Sequence, residues 1–118
     1  MSNIATTIEQ SKRLLVLGLD IKSADMCLCK TAQDTWFLCA GTPGEYDAHT
    51  VPAWSLSALL DVMPKPDLYR ETADLWVCVA FFKEGSIRGF GETAIEAACD
   101  VITKMFRRGY LKKKGGEQ

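Results

Sequence analysis

The stretch LWVCVAFF, residues 75–82, decides the fold class of this chain. All eight residues are apolar, and the valines and aromatic residues among them favour β-structure. A continuous apolar run of this length is typical of a central strand that is covered on both faces of its sheet. The residues KEGS that follow, 83–86, predict a turn, and residues 87–90 are therefore predicted to form an antiparallel partner strand, because a parallel crossover needs a much longer connection.

A helix is predicted directly after this hairpin, over residues 94–108. Thr93 and Glu96 form a capping-box pattern. Gly109 is placed to end the helix in the left-handed conformation, and residues 110–111 are expected to fold back on its last turn in a Schellman motif. Its apolar positions recur on one face: Ala94, Ile95, Ala98, Val101, Ile102, Met105 and Phe106.

The first half of the chain predicts a helix followed by a hairpin. The helix spans residues 7–17, with a capping-box pattern formed by Thr6 and Glu9 at its start and Gly18 at its end. Residues 26–31 and 35–40 are rich in apolar and aromatic residues and are joined by three residues, which predicts two paired strands.

A second helix is predicted after residues 51–55, with Ser55 or a preceding residue as its cap. Leu56, Leu59, Leu60 and Met63 recur at three- and four-residue spacing, which indicates one buried face. Two prolines end this helix, and residues 67–74 are predicted to be a polar connector.

Together these elements predict an α+β fold with the order α-β-β-α-β-β-α. We expect a mostly antiparallel sheet of about four strands with three helices packed on it. A single domain is predicted for residues 6–111, after a flexible N-terminus at residues 1–5. Residues 112–118 have no apolar side chain to bury and are predicted to form a disordered basic tail.

The charges of the chain are balanced overall but unevenly distributed. Fourteen basic and fifteen acidic residues give a net charge of −1, which argues against a uniformly basic nucleic-acid binder. Residues 104–118 carry six basic side chains and one acidic side chain, whereas residues 1–103 carry eight basic and fourteen acidic ones. The basic end is a candidate for contact with phosphates or an acidic partner, with a solvated tail as the alternative.

A cytoplasmic protein without membrane contact is predicted. The N-terminal residues lack the basic patch and apolar run of a signal peptide, and the apolar runs are far shorter than the ~20 residues that span a bilayer. Five cysteines in apolar surroundings fit a reducing compartment.

Three cysteines and the single histidine are the weak candidate metal ligands: Cys27, Cys29, Cys39 and His49. Two of the cysteines are separated by one residue on a predicted strand, so both sulfurs are expected on one face, and the third lies on the next strand. Zinc sites usually show a spacing of two to four residues and a second pair of ligands. We therefore interpret the cysteines as small core residues, with a metal or redox site as the alternative, and expect no cofactor.

No residue pattern marks a catalytic site, and the chain is predicted not to be an enzyme. A nucleophile paired with histidine would need His49, which lies on a predicted loop, and the carboxylates show no arrangement for acid–base chemistry. The candidate partner-binding residues are a tryptophan at a loop–helix junction and five basic residues near the C-terminus: Trp54, Arg107, Arg108, Lys112, Lys113 and Lys114. A lid over the core is the alternative role for the tryptophan.

Four stretches carry a resemblance to a known family: TIEQSKRLL (7–15), VPAWSLSALL (51–60), LWVCVAFF (75–82) and GFGETAIEAAC (89–99). The chain resembles small phage and mobile-element proteins with the phage α-β-α sandwich domain, including uncharacterised Bacteroides-type proteins. The resemblance covers residues 7–111, and its motifs are caps, a glycine turn and core positions. It implies a fold and a genomic setting but no reaction.

These observations predict a non-enzymatic accessory protein of a phage or mobile element that acts through a protein partner or as a homo-oligomer. The alternative is a nucleic-acid-binding module that uses the basic end, since strands followed by a lysine-bearing helix resemble the double-stranded-RNA-binding order. Glu92 and Glu96 stand where that module needs lysines, which weakens this alternative. The stretch GETAIEA also resembles HicB-type antitoxins, which would make a toxin the partner.

Overall fold

The computed structural model describes residues 4–41 and 47–111. Its helices and strands, in chain order, are α1 (Ile8–Leu17), β1 (Met26–Lys30), β2 (Trp36–Ala40), β3 (Thr50–Ala53), α2 (Leu56–Val62), β4 (Asp67–Thr72), β5 (Leu75–Phe82), β6 (Gly85–Gly91) and α3 (Ala94–Arg107). A short 3-10 turn, Ile21–Ser23, links α1 to β1. None of the described helices is long and apolar enough to cross a bilayer.

The strands form two three-stranded antiparallel sheets. The first has the strand order β2-β1-β3, and the second has the order β4-β5-β6. The α+β class and the antiparallel pairing agree with the prediction, whereas the structure has two sheets in place of one sheet of about four strands. The element order differs by one additional strand before α2 and one after it.

Both additional strands lie at sheet edges, which explains why the sequence pattern did not reveal them. β3 contains Pro52, which lacks a backbone N–H, and an edge strand tolerates this because one side of its backbone is unpaired. β4 has no apolar alternation, and only Leu68 is partly buried. Its backbone nevertheless pairs with β5 from Asp67 onward. Backbone pairing with an apolar neighbour therefore makes a polar segment a strand.

The predicted hairpin of the second sheet is confirmed, with β5 and β6 paired from Trp76↔Gly91 to Phe82↔Gly85. α3 packs against one face of this hairpin. Gly89 permits the close approach, because a Cβ atom at this position would stand 2.6 Å from the backbone N of Val101. Any side chain at residue 89 would push α3 away from the sheet.

The ends of α3 follow the predicted signals. The Thr93 side chain accepts a hydrogen bond from the backbone N–H of Glu96 at 3.1 Å. Gly109 has φ of 82°, and the N–H of Tyr110 donates to the carbonyl of Met105 at 2.9 Å. A hydrogen bond from this N–H to the carbonyl five residues earlier is the signature of the predicted Schellman motif.

The start of α1 is shifted by one residue from the prediction. The capping box is formed by Thr7 and Gln10, each of whose side chains accepts a hydrogen bond from the other's backbone N–H. Thr6 and Glu9 do not form it, because Thr6 is buried and its hydroxyl lies 2.7 Å from that of Ser11. The adjacent threonine is the one free to act as the cap.

The hydrophobic core lies among the three helices and the inner face of the second sheet. Its largest fully buried side chains are Leu14, Trp54, Leu59, Ile87, Ile102 and Met105. At the predicted N-terminal boundary, Ala5 is buried and forms an isolated β-bridge with Ser55. The predicted tail at residues 112–118 lies outside the described residues.

Candidate interaction surface

The second sheet has one face that packs against α3 and an opposite face with exposed aromatic side chains. Gly89 and its register partner Cys78 lie on the face toward α3. Since side chains alternate along a strand and register partners share a face, the neighbouring positions lie on the opposite side. We call that side the aromatic face and define it by Tyr69, Val77, Val79, Phe81 and Phe90.

The centre of the aromatic face is sheltered by its own rim. Val77 lies between its register partners Tyr69 and Phe90 and is only 1% exposed. The exposed fractions of Tyr69 and Phe90 are 38% and 46%, and that of Phe81 is 45%. Three large side chains therefore keep much of their apolar surface in water.

A row of opposite charges crosses the same face. Val79 lies between its register partners Asp67 and Arg88, and both charged side chains share its face of the sheet. Neither of them forms a salt bridge with another described residue. Val79 itself is only 4% exposed, so the exposed apolar surface of this face comes from its aromatic rings. Apolar surface with polar residues around it is a common arrangement of a protein interface.

The free edge of β6 is closed by two side chains of α3. The Asp100 carboxylate accepts a hydrogen bond from the N–H of Phe90 at 3.0 Å, and the Lys104 ammonium donates to the carbonyl of Arg88 at 2.7 Å. The two side chains form an ion pair at 3.1 Å, and Lys104 lies 5.3 Å from the centre of the Phe90 ring. Since these outward backbone groups are occupied, the edge is not free to add a strand there.

The opposite edge, β4, is protected by its sequence and shape. It carries three charged side chains, Asp67, Arg70 and Glu71, and its register shifts between Arg70 and Thr72. Charges and irregularities of this kind discourage strand addition. The aromatic face is therefore the part of the second sheet best suited to contact a partner.

The candidate metal-ligating cysteines share one face of the first sheet, as predicted. Cys27 and Cys39 are register partners, and the sulfurs of Cys27 and Cys29 are 3.9 Å apart. All three are partly buried rather than core residues. Burial raises the pKa of the Cys39 thiol, and a hydrogen bond with Cys29 and its charge add to the rise. Within the described ranges, no group of three histidine, cysteine or acidic residues is arranged to hold a metal ion.

His49 is exposed and precedes β3 directly. Its carbonyl accepts a hydrogen bond from the N–H of Lys30 at 2.8 Å, and its N–H donates to the Asp47 carboxylate at 2.8 Å. Both bonds use the backbone of His49 and not its imidazole, and they shape the loop before β3. The backbone of His49 thus helps to hold the loop before β3. No set of metal ligands surrounds its side chain among the described residues.

The two remaining cysteines are poor nucleophiles. Burial raises the pKa of Cys78 to about 11, and the charge of Asp67 adds to the rise. Burial raises the pKa of Cys99 to about 12, against the opposing charge of Arg13. Since the thiolate is the reactive form, neither side chain is prepared for nucleophilic chemistry near neutral pH.

Trp54 is fully buried, which excludes the exposed-anchor interpretation and leaves the core position as its role. Its indole N–H donates to the hydroxyl of Ser23 at 2.9 Å, and its backbone N–H donates to the hydroxyl of Thr6 at 3.0 Å. These bonds join the α2 entry to the 3-10 turn and to the N-terminal segment. The sequence around Pro52 gave no sign of this, because burial here depends on segments far away in the sequence.

The basic candidates lie at the end of α3. Arg107 is exposed and lines a groove of about 460 Å³ between α1 and α3, together with Arg13 and Thr103. Arg108 follows the last helical residue and is also exposed. Lys112, Lys113 and Lys114 lie outside the described residues. The described part of the basic end, residues 104–111, therefore carries Lys104, which pairs with Asp100, and the two exposed arginines.

Comparison of the chain with protein-family models, with curated proteins and with solved structures gives no match.

The aromatic face was not among the predicted sites, although a signal for it was present. Every position of residues 75–82 is apolar, which predicts cover on both faces, whereas α3 packs on one face only. Which face would remain exposed depends on where α3 packs.

Proposed function

We propose that the protein is a non-enzymatic interaction protein that binds a protein partner through the aromatic face. One observation carries the proposal: β5 has the composition of a strand covered on both faces, yet Phe81 is 45% exposed on the face opposite α3. Contact with an apolar partner surface would remove Tyr69, Phe81 and Phe90 from water, which is favourable. Exposed apolar patches rimmed by polar residues commonly mark such interfaces.

The charge of the second sheet favours a protein over a nucleic acid. Residues 67–91 carry three basic and four acidic side chains. Single-stranded nucleic acids also stack on aromatic residues, but their binding grooves are positively charged. The mixed charge beside the aromatic residues therefore supports a protein partner.

The chemistry of Cys78 and Cys99 argues against catalysis by either of these thiols. The raised pKa values of Cys78 and Cys99 keep both thiols protonated near neutral pH. The cytoplasmic location and the setting in a phage or mobile element belong to this proposal on the basis of the sequence alone.

Site-specific photo-cross-linking tests the proposal. A photoreactive phenylalanine analogue at Phe81 is expected to cross-link a defined protein in the cells that produce this chain. The matched control is the same analogue at Val16, an apolar residue on α1 that is 77% exposed and lies off the aromatic face. The absence of a product specific to residue 81 would overturn the proposal.

A nucleic-acid-binding role remains the second candidate because Arg107 and Arg108 are both exposed at the end of α3. If it holds, duplex RNA or DNA binds with an affinity that falls steeply as salt is raised. The double variant Arg107→Glu, Arg108→Glu then weakens binding. The control variant Arg70→Glu, at a residue of β4, has little effect. Absence of salt-sensitive binding to either duplex rejects this candidate.

A further inference from the structure

We propose that the occupant of the aromatic face is a second copy of this chain, packed face to face about a two-fold axis that runs nearly parallel to β5. This inference rests on the proposed function, because it names the partner for the same surface. It follows from the positions of the charged and aromatic residues across the three strands.

The first argument is charge complementarity across the proposed axis. In one sheet, Asp67 and Arg88 stand on opposite sides of Val79. A two-fold axis along β5 exchanges the two outer strands of the facing sheet, so Asp67 of each copy meets Arg88 of the other. Both charges, which lack a described salt-bridge partner within the chain, are paired in the dimer.

The second argument comes from the aromatic row. The same axis places Tyr69 of one copy opposite Phe90 of the other, above the buried Val77 of each copy. Aromatic pairs between packed surfaces add to the gain from burial alone. Two sheets that stack with nearly parallel strands also match the common aligned packing of β-sandwiches.

The charge row selects this orientation over its main alternative. A two-fold axis through Val79 but across the strands would bring Asp67 to its own symmetry mate and Arg88 to its own. Like charges placed together in an interface are strongly unfavourable. The arrangement along β5 is therefore the isologous packing that the charges support.

The area of the face sets the expected strength of the dimer. Three strands spaced about 4.8 Å apart give a footprint of roughly a few hundred Å² per copy, below the size of a standard stable interface. We therefore expect a weak dimer whose population rises with concentration.

The C-terminal segment of the same chain is not suited to cover this face. Residues 112–118 have the sequence KKKGGEQ, which contains no apolar side chain. Such a segment has nothing to place against the exposed rings of Tyr69, Phe81 and Phe90. A second copy supplies the matching apolar surface.

Sedimentation equilibrium over a range from micromolar to millimolar concentration tests the inference. The wild-type mass is expected to rise from 13.1 kDa toward twice that value. Asp67→Lys and Arg88→Glu each place like charges opposite one another and are expected to weaken the dimer roughly tenfold. The double variant exchanges the two charges and is expected to restore it.

Asp74→Lys is the control for a change in net charge, because Asp74 is exposed in the β4–β5 turn and lies off the face. It is expected to leave the dimer unchanged. All the altered positions are exposed, so each variant is expected to fold. Circular dichroism checks that it does. A wild-type chain that stays monomeric at millimolar concentration, or a double variant no stronger than the single ones, overturns the dimer.

The cross-link from residue 81 separates this inference from the proposed function. A product of two copies supports both. A product with a different protein, together with a monomer in sedimentation, overturns the dimer and retains the interaction function. Absence of any specific product, together with a monomer in sedimentation, rejects both.

Discussion

The carboxylate of Asp100 accepts a hydrogen bond from the backbone N–H of Phe90 at 3.0 Å and so joins α3 to the outer edge of β6. One turn later, Lys104 pairs with Asp100 and donates to the carbonyl of Arg88. Edge strands usually present such backbone groups to other chains. The same helix that covers one face of the second sheet therefore also protects its edge.

Removal of this carboxylate should loosen the edge of β6. Asp100→Ala is expected to lower the free energy of unfolding by about 1–2 kcal/mol, because a charge-assisted hydrogen bond is lost. Amide hydrogen exchange should become faster at Phe90. Asp100→Asn is the control, since the amide oxygen still accepts from Phe90, and it should cost less. Unchanged exchange at Phe90 in the alanine variant would contradict the assigned role.

The contact between Gly89 and α3 predicts a severe effect of one methyl group. Gly89→Ala is expected to cost about 3 kcal/mol or more, because its Cβ would stand 2.6 Å from the backbone N of Val101. Gly109→Ala is the comparison: its Cβ meets no atom within 4 Å, and its φ of 82° leaves only backbone strain of about 1 kcal/mol. Urea denaturation measures both, and equal losses would refute the packing argument.

The hydrogen bond between Trp54 and Ser23 should couple the α2 entry to the 3-10 turn. Trp54→Phe and Ser23→Ala each remove this bond, at 2.9 Å, between buried or partly buried groups. In a double-mutant cycle we expect a coupling of about 1 kcal/mol. Additive losses in thermal or urea unfolding would show that the bond contributes nothing.

Thiol reactivity should divide the cysteines into two groups. Cys27 and Cys29 are partly exposed and should react with a thiol reagent in the native protein. Cys78, with its pKa raised to about 11, carries roughly one thiolate per thousand molecules at pH 8. Cys78, which is buried, and Cys99, whose pKa is raised to about 12, should therefore react far more slowly than Cys27 and Cys29 in the native protein. Mass spectrometry after timed alkylation identifies the modified residues, and native labelling of Cys99 as fast as that of Cys27 would contradict its raised pKa.

The same raised pKa values predict a loss of stability at alkaline pH. The native state holds the protons of Cys78 and Cys99 more tightly than the unfolded state, in which thiols titrate near 9.0. Stability is therefore complete below that pH and falls as the pH rises through about 11–12. Cys99→Ser should reduce this fall, as measured by urea unfolding from pH 8 to pH 11. An identical pH profile in the variant would oppose this assignment.

The parts of the fold that were predicted correctly depend on local patterns. The β5–β6 hairpin follows from an apolar run and a short turn, and the α3 ends follow from Thr93 and Gly109. The two missed strands, β3 and β4, lack such patterns because their pairing partners supply the driving force. From sequence alone, an edge strand with a proline or with mostly polar residues is predicted to be a connecting loop, because its pairing partner is not known.

The candidate site was predicted less well, for a related reason. The shared face of the three cysteines follows from strand alternation, which is local. The position of Trp54 depends on Thr6, which lies 48 residues away in the sequence. The aromatic face depends on the register that brings Tyr69 and Phe90 to either side of Val77.

The sequence by itself determined the α+β class, the helices, the central hairpin and the uneven charge. Backbone hydrogen bonding and side-chain periodicity within a few residues are sufficient for these features. Only the tertiary structure decided the division into two sheets, the burial of Trp54 and the exposure of Phe81 on the face of β5 opposite α3. Each depends on contacts between segments far apart in the chain, and the packing of α3 determines which face of β5 this helix covers.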